Sequence, residues 1–270
     1  MGWLQRIRQR VAPDRTPVLH IASDDGDGPV IILIHGIASS AATFRNVVPL
    51  LRDRYRCVSL DLLGFGESPT PVDATYTIEE HVAAINATLK SLALTAPFVL
   101  VGHSLGSLLA ARFAAQYPAQ VSRLVLVSPP AYLSQSEIGD PRERARMGMY
   151  LKAYEFLRDN KDLTMATAST ISRVLQLGTA LEVTEHNWNP FILSLKNCVE
   201  SQTTVSDIAN VKVPIDVVYG ALDPFIASGT MMIIERMRHV TMHRVEANDH
   251  LVRSRLAKEI VSVIDRLARS

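Results

Sequence analysis

A serine between two glycines, Gly102-His103-Ser104-Leu105-Gly106, sits where an apolar run gives way to a helical one. A serine hydroxyl is a poor nucleophile at neutral pH and needs a base, usually a histidine that a carboxylate orients. At a tight strand-to-helix turn the central residue is forced into a strained backbone conformation, and neighbouring chain passes close by. A Cβ at either flanking position would clash, which is what glycine avoids. Such a turn lifts the Ser104 hydroxyl clear of the sheet edge and points a helix N-terminus at negative charge formed there. A phosphate-binding loop fits less well, since neither G-x-x-x-x-G-K-[ST] nor G-x-G-x-x-G occurs.

Eight histidines could serve as the base. His20 lies in an early strand pattern, His81 and His186 lie in helical stretches, and His239 and His243 lie in a strand-like run near the end. His103 adjoins the serine, but adjacent residues on a turn point apart, so it reads as structural. His250 stands out, because Glu246-Ala247-Asn248-Asp249-His250 forms a loop between the last strand and the last helix. For the carboxylate, Asp223 follows the strand VPIDVVYG at the same sheet edge, and Pro224 biases it away from helix. An ordinary turn aspartate is the competing reading of Asp223. Asp249 is a rival that would need an unusual loop to reach its neighbour's ring.

These residues need a sheet to bring them together. Short apolar runs alternate with helical patterns, which predicts a mostly parallel sheet with helices on both faces. VIILIHG, YRCVSLDLLG, PFVLVGH and VSRLVLVSPP read as strands. AATFRNVVPLLRD reads as a helix, and Thr77-Ile78-Glu79-Glu80 has capping-box spacing for a helix through Leu94. From about Ser134 to about Ile208 the pattern is helical, rich in Met, Tyr and charge. The alternation then resumes through HVTMHRVE and a final helix from Leu251 to Leu267.

The bulk composition agrees. With 270 residues, 47% hydrophobic and 20% charged, the chain can bury a sizeable core. A net charge of +1 gives no electrostatic case for nucleic acid. Cys57 and Cys198 lie far apart without metal-ligand spacing and read as buried free thiols. No run approaches the roughly 20 apolar residues of a membrane span. The opening MGWLQRIRQRV lacks the apolar region of a signal peptide, so a cytoplasmic location is expected. Trp3, Leu4, Ile7 and Val11 share a helical face there, which suits a short helix docked on its own domain better than a membrane surface.

Taken together, the motifs resemble the α/β-hydrolase family over nearly the whole chain. His35-Gly36 ends the strand before the first core helix, and Asp61-Leu62-Leu63-Gly64-Phe65-Gly66-Glu67-Ser68 is similar to the family's D-x-x-G-x-G-x-S turn. The serine pentapeptide, Asp223 and His250 then follow in the family order. The resemblance implies an α/β-hydrolase fold with a helical cap inserted after the sixth core strand. Residues 1–133 and 209–270 would form the core and residues 134–208 the cap. It also implies Ser104 as nucleophile, His250 as base and then acid, and Asp223 as the group that orients His250. The backbone N–H groups of Ile37 and Leu105 would form the oxyanion hole, where losing one donor typically costs ~2.7–4 kcal/mol. His35 would be a structural member of that turn, and Gly64 and Gly66 turn-formers.

Serine rather than aspartate at this strand-to-helix turn favours an acyl carbon over an alkyl carbon as the point of attack. The aromatic residues of the cap read mostly as its core, with Tyr150, Tyr154, Trp188 and Phe191 as candidates to line an apolar pocket. Arg142, Arg144 and Arg146 read as a solvated face. The expectation is thus a serine hydrolase of a small ester or related apolar acyl compound, with no metal or organic cofactor. A C–C bond hydrolase, lactonase, thioesterase or perhydrolase would use the same triad, and a slow receptor-type relative would keep it. Carbon–carbon hydrolases usually carry tryptophan soon after the histidine and a glycine-rich stretch after the first core strand. This chain has Leu251-Val252-Arg253 and Ile37-Ala38-Ser39-Ser40. Proline iminopeptidases tend to have tryptophan after the nucleophile, where Leu105 stands here.

Overall fold

The computed structural model describes residues 16–133, 139, 141–166 and 182–267. Seven strands form one sheet: β1 (Ile21–Asp25), β2 (Val30–Ile34), β3 (Arg56–Leu60), β4 (Phe98–His103), β5 (Val121–Val127), β6 (Ile215–Gly220) and β7 (Val240–Val245). Their spatial order is β1-β3-β2-β4-β5-β6-β7, and only the β1–β3 pair is antiparallel.

Strands covered on both faces must be apolar throughout, and alternate side chains go to opposite layers. Ile32 and Ile34 of β2 join Leu100, Leu124, Leu126 and Val217 in one core cluster. Ile31 and Leu33 join Val101, Val125 and Val218 in the other. Helices α2 (Ile78–Ser91), α3 (Leu105–Gln116) and α7 (Ser228–Glu235) cover the first face. The second is covered by the short α1 (Val48–Leu51) and the C-terminal α8 (Ser254–Leu267), which buries Leu256, Ile260, Val263 and Ile264.

Two local expectations change. Residues 41–53 do not form one helix but a 3-10 turn (Ala41–Phe44) followed by α1. Pro49 has no N–H to give the Arg45 carbonyl and its ring would clash there, so the helix must restart. Phe44, Val47 and Leu51 still face inward, as their spacing predicts. At α2 the Thr77 hydroxyl accepts the Glu80 N–H at 3.2 Å, but the Glu80 carboxylate turns to the N–H groups of Tyr76 and Thr75. The reciprocal half of the capping box has moved outward along the chain.

Between β5 and β6 the described residues contain helices and no strand: α4 (Pro141–Asp159), helical turns over 161–166, α5 (Trp188–Ser194) and α6 (Thr204–Asn210). A π-helical turn (Leu195–Glu200) continues α5. The insertion leaves after β5, so five described strands precede it where the resemblance counted six; the one antiparallel edge strand among them is β1. Trp188, Phe191, Leu195, Cys198 and Val199 bury into the same cluster as Leu62, Leu63, Phe65 and Tyr76. A Cβ on Gly64, at φ +80°, would meet Pro190 of α5 at 2.5 Å, so that glycine admits the close approach as well as the turn. The helical face expected of the first eleven residues lies outside the described residues. No described helix is long and apolar enough to cross a membrane.

The path of the chain sets the place of the site. From β2 it steps to β3 on one side, then crosses to β4 on the other. Loops leaving the C-terminal ends of β2 and β4 diverge there, and such a reversal is where open α/β sheets form their crevice. His35-Gly36 leaves β2 at that point, and Ser104 leaves β4.

Candidate active site

Ser104 sits at φ +54°, ψ −121°, a strained conformation for a residue with a side chain. It occupies the N-cap position of α3, yet its hydroxyl makes no capping bond, which leaves the Oγ for other partners. Backbone bonds hold the turn instead: Ser104 N–H donates to the Val127 carbonyl at 2.9 Å, and Ser107 N–H to the Ser104 carbonyl at 2.9 Å. The Ser107 hydroxyl reaches the Gly102 carbonyl at 2.6 Å. A Cβ on Gly102 would lie 2.2 Å from the Gly106 carbonyl oxygen, and one on Gly106 would lie 2.4 Å from that of Ile34. Both flanking glycines are therefore steric requirements.

The loops after β6 and β7 bring the other two groups in. Leu222 N–H donates to the Asn248 carbonyl at 2.9 Å, and a Cβ on Gly220 would collide with that same oxygen at 2.2 Å. The Asn248 side chain closes its own loop by donating to the Asp249 and Leu251 carbonyls. The outcome is a continuous line: His250 Nε2 lies 3.0 Å from Ser104 Oγ, and His250 Nδ1 lies 2.8 Å from Asp223 Oδ2. With Nδ1–H donated to the carboxylate, neutral His250 offers Nε2 as acceptor to the hydroxyl. Burial pushes the Asp223 carboxyl up, but His250 and the Phe225 N–H, at 2.9 Å from Oδ1, outweigh it and hold the group below the usual carboxylate value. Asp249 is engaged elsewhere, by the Leu251 N–H at 3.1 Å and by Arg253 at 3.1 Å.

The turn after β2 lies against the serine: a Cβ on Gly36 would be 2.9 Å from Ser104 Cβ. His35 is fully buried, and its Nδ1 donates to the Gly36 carbonyl at 2.7 Å while its Nε2 accepts the Leu62 N–H at 2.9 Å. Burial pushes its pKa down to about 4, so it is neutral and that tautomer is fixed. In a trans peptide C=O and N–H point opposite ways. Holding the Gly36 carbonyl therefore also fixes the direction of the Ile37 N–H. Leu105, directly after the serine, is fully buried at the first turn of α3. Asp61 braces the assembly by accepting the N–H groups of Ala41 at 2.8 Å and Glu67 at 3.0 Å, with His20 Nδ1 at 3.0 Å. A Cβ on Gly66 would fall 2.3 Å from the Asp61 carboxylate.

The remaining histidines are placed elsewhere. His243 pairs with Asp216 at 2.8 Å, an Asp–His pair without a serine. Asp216 is the second residue of β6, so at ~3.3 Å per residue it lies toward the opposite end of the strand from Asp223. His81 is buried against Ser194 Oγ at 3.0 Å, His239 bonds the Ile208 carbonyl, and His186 reaches Thr70. Two contacts carried no sequence signal. Phe225 packs edge-on to the His250 ring at 4.8 Å, and His103 bonds the His250 backbone. Among the aromatic candidates, Trp188 and Phe191 are buried against each other at 5.9 Å. The buried hydroxyl of Tyr154 lies 3.4 Å from that of Tyr132. All three belong to the main core cluster. The Tyr150 side chain lies outside the described ones, as do those of Arg142 and Arg146, whereas Arg144 is exposed. Both cysteines are buried free thiols.

A family model described as the alpha/beta hydrolase fold matches residues 29–252. The chain is 37% identical over 107 residues to the probable lysophospholipase BODYGUARD 2 of Arabidopsis thaliana, covering 38% of this chain and 23% of that protein. It is 35% identical over 118 residues to a cis-3-alkyl-4-alkyloxetan-2-one decarboxylase of Xanthomonas campestris pv. campestris, covering 40% of this chain and 39% of the relative. These matches thus span less than half of either relative. Among solved structures, E-2-(acetamidomethylene)succinate hydrolase superposes with a TM-score of 0.71 at 20% identity, covering 92% of this chain and 94% of the other. That likeness is one of fold.

Proposed function

Because the chain belongs to the α/β hydrolase family, we propose that it is a serine hydrolase that cleaves a small carboxylic ester or related acyl substrate through an acyl-enzyme on Ser104. The reading rests on one observation, the hydrogen-bonded line Ser104–His250–Asp223 at 3.0 and 2.8 Å. His250 Nε2 takes the hydroxyl proton as Ser104 Oγ attacks the acyl carbon, then returns it to the leaving oxygen. Asp223 holds the Nδ1–H tautomer and stabilises the imidazolium. The N–H groups of Leu105 and Ile37 receive the oxyanion. Water activated by His250 then attacks the acyl carbon and releases the acid and the free serine.

The insertion, residues 134–208, acts as a cap that supplies an apolar lining for the acyl group, with small-molecule apolar esters as the substrate class. A cyclic ester is the second reading, favoured by the similarity to a protein named for an oxetan-2-one. The same line of residues would open a lactone ring at its carbonyl. An alkyl fluorophosphonate tests the chemistry without knowledge of the substrate. It should add once, on the peptide holding Ser104, and should fail to add to His250→Ala at comparable rate. Labelling spread over other serines, or unaffected by His250→Ala, would refute the reading.

A further inference from the structure

The stretch that returns from the insertion to the sheet passes over the turn after β2. There the Glu182 N–H donates to the Ala38 carbonyl at 2.6 Å. Ala38 follows Ile37 directly, is fully buried, and stands at φ +47°. A left-handed residue with a Cβ costs roughly 1–2 kcal/mol and persists only where its surroundings over-determine it. From the sheet side the surroundings are His35, on the Gly36 carbonyl, and Asp61, on the Ala41 N–H. From the other side Glu182 bonds the Ala38 carbonyl.

Asn187 in turn holds Glu182. Its Nδ2 donates to the Glu182 carbonyl at 2.5 Å, and its Oδ1 accepts the Thr184 N–H at 2.7 Å. It is buried and leads straight into Trp188, the buried first residue of α5. Residues 182–187 thus form a closed turn, anchored at one end in the core and bonded at the other to the residue after Ile37. The Glu185 side chain is exposed and pairs with Lys161 at 2.6 Å, while Lys161 Nζ also stands over the Trp188 ring at 5.8 Å.

We infer that Asn187 is a positioning residue for the oxyanion donor: through the Glu182–Ala38 bond it sets the turn that carries the Ile37 N–H. This inference rests on the serine-hydrolase reading of Ile37 and couples the insertion to the chemistry at Ser104. Hydrogen bonds weaken steeply as the angle at the hydrogen closes, so a small rotation of the Gly36–Ile37 peptide is enough to blunt the donor. A role in stability alone would lower the melting temperature and leave kcat per folded molecule unchanged.

The test compares Asn187→Ala, Asn187→Asp and Glu185→Gln with wild type. Amide hydrogen exchange over residues 36–41 is read beside kcat and KM for a p-nitrophenyl ester, with Ser104→Ala as background. In Asn187→Ala, exchange there should quicken and kcat should fall about tenfold at little-changed KM, a fraction of the 10²–10³ lost with a whole donor. Asn187→Asp keeps the acceptor for Thr184 N–H but sets a carboxylate oxygen against the Glu182 carbonyl, and should lose kcat at least as far as Asn187→Ala. It also serves if the alanine variant fails to fold. Glu185→Gln, which removes only the exposed ion pair, should match wild type in both measurements. Wild-type exchange and kcat in the Asn187 variants would overturn the inference, as would an equal loss in Glu185→Gln. A wild type without Ser104-dependent turnover would instead strike the hydrolase reading, and the positioning role with it.

Discussion

His103, the residue before the serine, bonds the histidine that faces that serine: its Nε2 donates to the His250 backbone carbonyl at 2.9 Å, and the two rings stand 5.0 Å apart. The His103 side chain runs back under the β7–α8 loop while Ser104 points into the crevice. The turn of Ser104 and the loop of His250 are therefore tied together twice, once through the Ser104–His250 side chains and once through this backbone contact. Burial, then the neighbouring His250, pushes the His103 pKa down to about 3, so it works as a neutral donor.

His103→Phe keeps a ring in the cavity and leaves the His250 carbonyl without that donor. The expected result is a loss of about 1–3 kcal/mol in stability from the buried unpaired carbonyl. A fall in kcat should accompany it, with KM little altered. Thermal unfolding and steady-state kinetics on the same preparation check both parts. Full activity at reduced stability would show that His103 packs the loop without aligning the base.

Asp223→Asn tests the tautomer argument. The carboxamide is nearly isosteric, but it can present an N–H to His250 Nδ1, leaving Nε2 protonated and unable to accept from Ser104. An analogous change in a serine protease lowers kcat by ~10⁴, and a loss of that order is expected here with the fold retained. If kcat fell less than tenfold, Asp223 would not be orienting the base.

Three buried neutral histidines set the acid limb of stability. His35 stands at about 4, His81 at about 3 and His103 at about 3, each pushed down chiefly by burial. Unfolded histidine titrates near ~6.5. Between those values the unfolded chain binds more protons than the fold, so stability rises with pH and is lost as pH falls. Each contributes up to about 1.4 kcal/mol per pH unit in that window. Unfolding free energy measured from pH 6 to 4.5 should slope accordingly. His81→Gln, which can keep a bond to Ser194, should flatten the slope by one proton. A flat profile would mean that these rings are protonated in the fold.

The parts of the site written as local chemistry were legible in the sequence. Gly102 and Gly106 flank Ser104 because a Cβ at either would strike backbone within 2.5 Å, and a requirement that strict leaves its mark in residue type. His250 and Asp223 were found by their places just after strands, since a parallel sheet collects its C-terminal loops at one edge. Contacts between residues distant along the chain leave no such mark. His103 on His250, Glu182 on Ala38 and Phe225 against His250 depend on how three loops meet, and periodicity reports only what happens within a few residues. The split at Pro49 differs in kind: the apolar spacing runs on through a residue that a helix tolerates only in its first turn. The aromatic residues of the insertion followed the plainer rule, because Tyr154, Trp188 and Phe191 are core residues before they are anything else.

Hydrolysis of a p-nitrophenyl ester series from acetate to palmitate, by wild type beside Ser104→Ala, tests the central claim most directly. Turnover by wild type that falls by about 10⁴-fold or more, the range of loss from removing a triad member, with Ser104→Ala still folded, is the predicted result. The preferred chain length would then size the acyl pocket. Activity in Ser104→Ala within tenfold of wild type on every ester would contradict it.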